Sequence, residues 1–299
     1  MRPAAWIRQH VAALRALVVL TVVCGVVYPL GIFGIAQLPG LREKANGAMV
    51  TAAGGGAVGS RIIGQSFTDT DGTPLPQYFQ SRPSAAGDGY DPTATGASNL
   101  GPEDIVDTLP DPANRDDIGR QGLLTRVCHR SVTVGALEGV DGSRPFCTAS
   151  GVGAVLAVFG RRDSDGHVGG VTRVVSVNEA CPARPFLATY RGVPVGCARY
   201  DEDYSAGAIV PVRGAAPAHP RVPADAVTAS GSGLDPAISP AYARLQAPRI
   251  ARTRGIRLPA VLDLIRDHTR GRALGFLGEP SVNVLALDLD LDRRFPRRG

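Results

Sequence analysis

Residues 16–38 read ALVVLTVVCGVVYPLGIFGIAQL, twenty-three positions without a charged side chain. About 20 apolar residues in a helix suffice to cross a hydrocarbon core, so this run predicts a transmembrane helix. It divides the chain into a basic head (1–15), the span (16–38) and a long polar body. A cleaved secretory signal has an apolar core of about 7–15 residues that ends at a small-residue site. This run is longer, and Gln37-Leu38-Pro39-Gly40 is a poor cleavage context. A lipid-modified Cys24 would want a small residue just before it, where Val23 stands. The expectation is an uncleaved anchor.

Flanking charge sets the orientation. Arg2, Arg8 and Arg15 precede the span, and Arg42 and Lys44 follow it. Cytoplasmic flanks carry the excess of Lys and Arg, which places the head in the cytoplasm by three charges to two. Cysteine usage agrees. Four of the five cysteines lie in the body, Cys128, Cys147, Cys181 and Cys197. An even count outside the span fits disulfides in an oxidising compartment. The gaps of 19, 34 and 16 residues lack the close ligand pairs of a zinc site. Three pairings are possible; the sequential one gives the shortest loops. Within the span, Gly25, Tyr28, Pro29, Gly31 and Gly34 include small residues that let a partner helix approach closely.

The net charge of +5 rests almost wholly on arginine, with Lys44 the single lysine. No basic run interleaved with aromatics points to nucleic acid. Residues 45–59 read as a flexible, glycine-rich juxtamembrane connector. Ser60–Phe67 reads as a short strand, and Thr70–Pro74 as a turn. Val152–Phe159 and Val168–Val177 read as a hairpin joined by a longer loop. Ser239 and Pro240 mark a helix start, and Pro248 should kink or split that helix. Pro259 opens a second helix, with Val261, Leu262, Ile265 and His268 on one face, ended by Gly271. Leu285, Leu287, Leu289 and Leu291 alternate with Asp288, Asp290 and Asp292, which predicts a half-buried strand with a solvated acidic face. The fold class is one N-terminal transmembrane helix plus an α+β extracytoplasmic domain. Residues 39–114 and 212–299 form that domain, with 115–211 as a β-rich, cysteine-bearing insertion.

Chemical motifs are few. Gly54, Gly56 and Gly59 match G-x-G-x-x-G by letter but lack the strand-then-helix context, and no P-loop lysine follows. An EF-hand starting at Asp288 would need glycine and glutamate where Arg293 and Gly299 stand. No G-x-S-x-G elbow accompanies Ser230, His219 or Asp235. His268 reads as a packing or helix-capping residue. No metal or cofactor site is expected in this chain.

Several blocks in fixed order resemble one family. They are Tyr28-Pro29-Leu30, Gly59-Ser60 to Gly64-Gln65, Tyr78-Phe79 with Ser81-Arg82-Pro83-Ser84-Ala85, and Ser98-Asn99-Leu100-Gly101-Pro102. The longest is Val222–Pro236, which contains Asp225, Ser230, Gly231, Ser232, Gly233 and Asp235. Gln246, Pro248-Arg249-Ile250-Ala251, Arg254-Gly255, Gly275–Pro280 with Gly278, and Val282-Asn283-Val284 follow. Over about residues 10–110 and 215–292 the chain is similar to the C subunit of the bacterial Kdp potassium-transporting ATPase. The resemblance implies a non-catalytic accessory subunit, with these motif residues serving assembly. Its implied partners are a channel-like potassium-binding subunit, a P-type ATP-hydrolysing subunit, a small single-span subunit and membrane lipid. ATP and potassium would act through the complex. The family is described as a catalytic chaperone raising ATP affinity. A body outside the membrane favours assembly and an outer cap over the potassium entrance instead, with any effect on ATP transmitted between distant sites.

Overall fold

The computed structural model describes residues 3–51, 55–96, 99–164 and 168–296. The chain forms two compact units, Met1–Ile62 and Ile63–Gly299.

The first unit is dominated by a continuous helical rod. α1 (Pro3–Val22) passes through a π turn (Val23–Val27) into α2 (Tyr28–Ala36). The π turn has a local cause. Pro29 has no N–H and its ring crowds the carbonyl four residues back, that of Gly25. Widening the helix there, where Tyr28 N–H bonds Val23 O, absorbs the misfit. The apolar helical stretch Trp6–Ala36 spans 31 residues with none of its most apolar window buried. At 1.5 Å per residue it is about 46 Å long, more than a hydrocarbon core requires. The helix therefore extends N-terminally past the uncharged run, through Arg8 and Arg15. A short α3 (Arg42–Ala45) leads into β1 (Met49–Thr51) and β2 (Ala57–Ser60), which pair antiparallel. The glycine-rich stretch expected as a flexible connector is thus a hairpin; its Gly54 lies outside the described residues. Of the strand expected over Ser60–Phe67, Ser60 alone is in β2.

The second unit has a five-stranded sheet and a helical layer. α4 (Leu123–Glu138) precedes β3 (Val155–Arg162), β4 (Val168–Ala180), β5 (Thr189–Tyr190), β6 (Val193–Ala198) and β7 (Ala208–Pro211). The sheet order is β5-β6-β4-β3-β7, with β4 and β6 parallel and the other neighbours antiparallel. β3 and β4 form the expected hairpin; residues 165–167 of its loop lie outside the described residues. Alternate residues of β3 feed two cores, as a strand's period of two requires. Leu156 and Val158 pack with Val168 and Val174, and Val155 and Ala157 pack with Val177. Leu124 of α4 covers the second of these.

β8 (Ala237–Ile238) precedes α5 (Pro240–Arg254) and α6 (Leu258–His268). β9 (Thr269–Arg270), β10 (Ser281–Asn283) and α7 (Val284–Arg294) complete the chain. The three short strands pair in the order β8-β10-β9. Ser239 Oγ accepts the Tyr242 N–H at 3.0 Å as an N-cap, as the Ser-Pro signal predicts. Pro248 neither ends nor divides α5. Its missing N–H would have bonded Arg244 O, and both residues are exposed, so water can serve that carbonyl while Ala243, Ala247 and Ile250 stay packed.

The expected strand over residues 285–292 is helix α7. Val284, Leu287, Asp288 and Leu291 are all buried, which is the i, i+3, i+4, i+7 stripe of a helix. Asp288 occupies a core position, so counting only leucines shows alternation instead. Asn283 Oδ1 caps the helix by accepting the Ala286 N–H at 2.9 Å. The supposed solvated face is mostly absent, since Asp288 and Asp290 are 2% and 5% exposed.

The cysteines pair sequentially. Cys128–Cys147 and Cys181–Cys197 have Cα separations of 5.4 and 5.1 Å. The first fastens α4 to the chain entering β3. A loop of this size contributes about 3 kcal/mol by constraining the unfolded chain. Replacing Cys128 and Cys147 together by alanine should lower unfolding stability by about that much in urea titration of the detergent-solubilised protein.

Candidate functional site

Motif residues from Gly64–Ala85 and from Val222–Ser239 meet in one hydrogen-bonded region. The Gly64 N–H donates to Leu234 O at 2.9 Å. A Cβ at Gly64 would lie 2.4 Å from Tyr90 Cε1 and 2.6 Å from Asp235 O, so only glycine fits. Ser81 Oγ donates to Gln65 O at 2.9 Å. Arg82 donates Nη1 to Asp235 Oδ2 at 3.0 Å and also reaches Thr228 O and Ala229 O. Pro83 follows it, and Ser84 Oγ donates to Gly233 O at 2.6 Å. Gly233 has φ +71°, and a Cβ there would meet Ala86 at 2.7 Å. Asp225 accepts both the Ser239 N–H (2.6 Å) and its hydroxyl (3.0 Å), fixing the start of α5. Asp235 accepts the Ala237 N–H at 3.0 Å and orders the entry to β8. Ser230 Oγ accepts the Asp235 N–H at 3.4 Å.

One turn into α5 and beyond, Gln246 and Arg249 make a second cluster. Gln246 exchanges two bonds with the Gln80 backbone, at 2.6 and 3.0 Å. Arg249 donates Nε to both Glu138 carboxylate oxygens at 3.0 and 3.1 Å. Its Nη1 serves Pro76 O and Tyr78 O at 2.6 and 2.9 Å. The two charged side chains are 3% and 0% exposed. Burial pushes the Glu138 carboxyl up from its ordinary value, and Arg249 pulls it back. No sequence motif singles out Glu138. Its helix buries Thr125, Cys128, Ser131, Gly135 and Glu138, a helical stripe of small and polar residues that hydrophobic periodicity passes over. Gly135 belongs to it because a Cβ there would meet Gly142 Cα at 2.6 Å.

A third cluster joins α6 and α7. His268 Nε2 lies 2.9 Å from Asp290 Oδ2, which also receives Arg294 at 2.8 Å. His268 therefore bridges two helices instead of capping one. Burial raises the Asp290 carboxyl, but hydrogen bonds from His268, Arg293 and Arg294 outweigh it and hold the value below normal. Asp288 is different. Its Oδ1 accepts the Phe79 N–H at 3.0 Å, while Oδ2 has no hydrogen-bond partner among the described residues. Burial pushes this carboxyl well above the usual range, against the pull of the Phe79 bond and Arg254.

Other motif positions stay outside these clusters. Gly231, Ser232 and Asn99 are exposed, and Ser98 lies outside the described residues. At Gly101 the nearest atoms to a built Cβ belong to the exposed Glu103 carboxylate, Oε1 at 2.4 Å, a side chain free to swing away. Gly278 has φ +76° and closes a loop whose Leu274, Phe276 and Leu277 are 83%, 70% and 51% exposed. In the apolar helix, Tyr28 is 65% exposed. Gly31 and Gly34 have nothing within 4 Å of a built Cβ, and at Gly25 the nearest atom is Thr21 Cγ2 at 4.0 Å. Pro29 is likewise exposed. Among the described residues no group of three or more His, Cys, Asp or Glu could hold a metal.

The sequence profile of the family described as "KdpC: K+-transporting ATPase, c chain" matches residues 10–108 and 205–293. The chain is 36% identical over 290 residues to a potassium-transporting ATPase KdpC subunit from Kineococcus radiotolerans, covering 97% of this chain and 96% of the relative. It is 35% identical over 286 residues to one from Mycobacterium tuberculosis (96% and 98%) and 34% identical over 284 to one from Rhodospirillum rubrum (95% and 95%). The chain belongs to the KdpC family of potassium-transporting ATPase subunits. With its span-length apolar helix, it is a membrane protein. These alignments run through the segment 109–204 that the family profile leaves unmatched, so relatives share the segment that carries α4 and most of the five-stranded sheet.

Two outcomes follow from the buried charges. Arg249→Met strands Glu138 in the interior and should cost about 3–5 kcal/mol, whereas Arg249→Met with Glu138→Leu should recover much of it. Asp288 has a raised folded-state value, so its stabilising contribution is present at acid pH. It is lost as pH rises from the ordinary carboxylate range through that higher value. Asp288→Asn should therefore gain stability relative to the parent as pH rises above the ordinary carboxylate range, read as a widening difference in urea midpoints.

Proposed function

We propose that this chain is a non-catalytic accessory subunit of an ATP-driven potassium importer, anchored head-in with its body outside the membrane. There it stabilises assembly and caps the outer entrance for potassium. Its partners in this reading are a channel-like potassium-binding subunit, a P-type ATP-hydrolysing subunit and a small single-span subunit. The observation that carries it is the pairing of all four body cysteines in a chain with one span-length helix among its described residues. Paired cysteines belong to an oxidising compartment, and one span leaves the whole body on one side.

The motif geometry supports a holding role. Nearly every motif side chain in the body is engaged with backbone of its own unit, which leaves shape and exposed loops to meet partners. The alternative reading, a chaperone that raises ATP affinity by contacting ATP directly, requires a cytoplasmic body and so makes the opposite prediction about side.

An Ala215→Cys variant in a Cys24→Ser background supplies one exposed thiol. A membrane-impermeant maleimide should label it in intact spheroplasts; labelling only after lysis would overturn the proposed side. The span is proposed as a docking helix. Gly31→Leu with Gly34→Leu meets no obstruction within the chain, so reduced co-purification of the ATP-hydrolysing subunit would report lost helix packing. Full recovery would remove that role.

A further inference from the structure

α4 and the chain from Ser66 to Tyr90 line an open cavity of about 340 Å³ that the proposed role leaves unused. That size lies within the range of about 300–1,000 Å³ typical of small-molecule sites. Phe67, Val134 and Leu137 give it an apolar wall. Most polar groups around it are committed to the fold. Ser81 bonds Gln65 O, Ser84 bonds Gly233 O, the Tyr90 hydroxyl bonds Arg82 O, and Arg82 is paired with Asp235.

Arg130 is the exception. Its guanidinium has five N–H donors, of which Nη1 donates to Val227 O at 3.0 Å. It makes no other hydrogen bond and no ion pair among the described residues. The other arginines drawn into this unit meet carboxylates: Arg82 meets Asp235, Arg249 meets Glu138, and Arg254 meets Asp292. Half-buried Arg126 and Arg144 also lack a carboxylate, but both stand outside this cavity, and Arg144 donates to Ser131 and Val222. Burial lowers the Arg130 value, and nearby Arg126 adds to the effect. A partly buried, under-bonded guanidinium on an apolar wall is chemistry for an anion. Because Arg82 is neutralised, the wall sets the Arg130 guanidinium against one exposed carboxylate, Asp88, with the exposed His129 imidazole also on its rim. That balance suits a single negative charge and disfavours a polyphosphate.

We propose that this cavity binds a small monocarboxylate with an aromatic or branched apolar body, its carboxylate on Arg130 and its body against Phe67, Val134 and Leu137. Arg130 sits about two turns inside α4, two residues from disulfide-bonded Cys128, so the staple holds the anion-facing donor in place. α4 lies in the segment that the family profile does not match but the long relatives share. The anion-facing donor therefore lies in a segment shared with those relatives.

Saturation-transfer NMR on the full chain in detergent, with benzoate, benzyl alcohol and phenyl phosphate as probes, tests the assignment. Benzoate should bind at least about tenfold more tightly than benzyl alcohol, the scale set by a charge-assisted hydrogen bond. Arg130→Gln should erase that preference, and Asp88→Asn should strengthen benzoate several-fold. The two variants move in opposite directions, so a misfolded protein cannot mimic the pattern. Equal binding of benzoate and benzyl alcohol, tighter phenyl phosphate, no binding of benzoate, or indifference to both substitutions would overturn the proposal.

Discussion

The buried pair between Arg249 and Glu138 is the contact on which the second unit's arrangement depends. It joins α5, which carries family motifs, to α4, which lies in the segment outside the family profile. Desolvating two charges costs several kcal/mol per ion unless geometry and further hydrogen bonds compensate. Here they do: Glu138 receives the guanidinium through both oxygens, and Arg249 also satisfies the carbonyls of Pro76 and Tyr78 and the Gln246 amide oxygen. A displaced α4 would strand both charges. The pair therefore fixes the position of α4 against α5 more strictly than apolar contact, which tolerates sliding.

The motif residues follow the same logic on a smaller scale. Arg82 gathers the carbonyls of Thr228 and Ala229 with the Asp235 carboxylate, while Gly64 and Gly233 leave room for the chains they touch. The Val222–Pro236 stretch has little regular secondary structure, so its backbone groups need such partners to be satisfied inside the fold. Among the described residues, what the motif blocks leave exposed includes Gly231, Ser232, Asn99, Pro248, Gly255 and the Leu274–Leu277 loop with Gly278 and Glu279. A residue pattern that resembles a reactive Ser-Gly loop is, in three dimensions, a structural clasp.

Legibility in the sequence tracked how much each element relies on local rules. The Ser239-Pro240 start of α5 and the β3–β4 hairpin are written in local chemistry, and both stand as expected. α4 was missed because its buried stripe is small and polar, and α7 was misread because a buried aspartate takes a leucine's place. Pro248 sits in a helix because its freed carbonyl partner faces water. Apart from Pro248, where solvent replaces the lost bond, these departures arise where a long-range contact overrides a local signal. Glu138 was unreadable for the same reason, since its partner lies 111 residues away.

The sequence alone determined that one uncharged run anchors the chain, that ordered motif blocks mark its family, and that four cysteines lie in the body. These are matters of composition, order and count, which need no partners in space. Tertiary structure decided which cysteines pair, that the acidic C-terminal run is a helix with a protonation-prone aspartate inside it, and that α4 is held to α5 by a charge pair. It also decided that Arg130 faces a cavity with no carboxylate paired to it. Burial and proximity are properties of the folded chain, and they set whether a charged side chain is solvated, paired or left available.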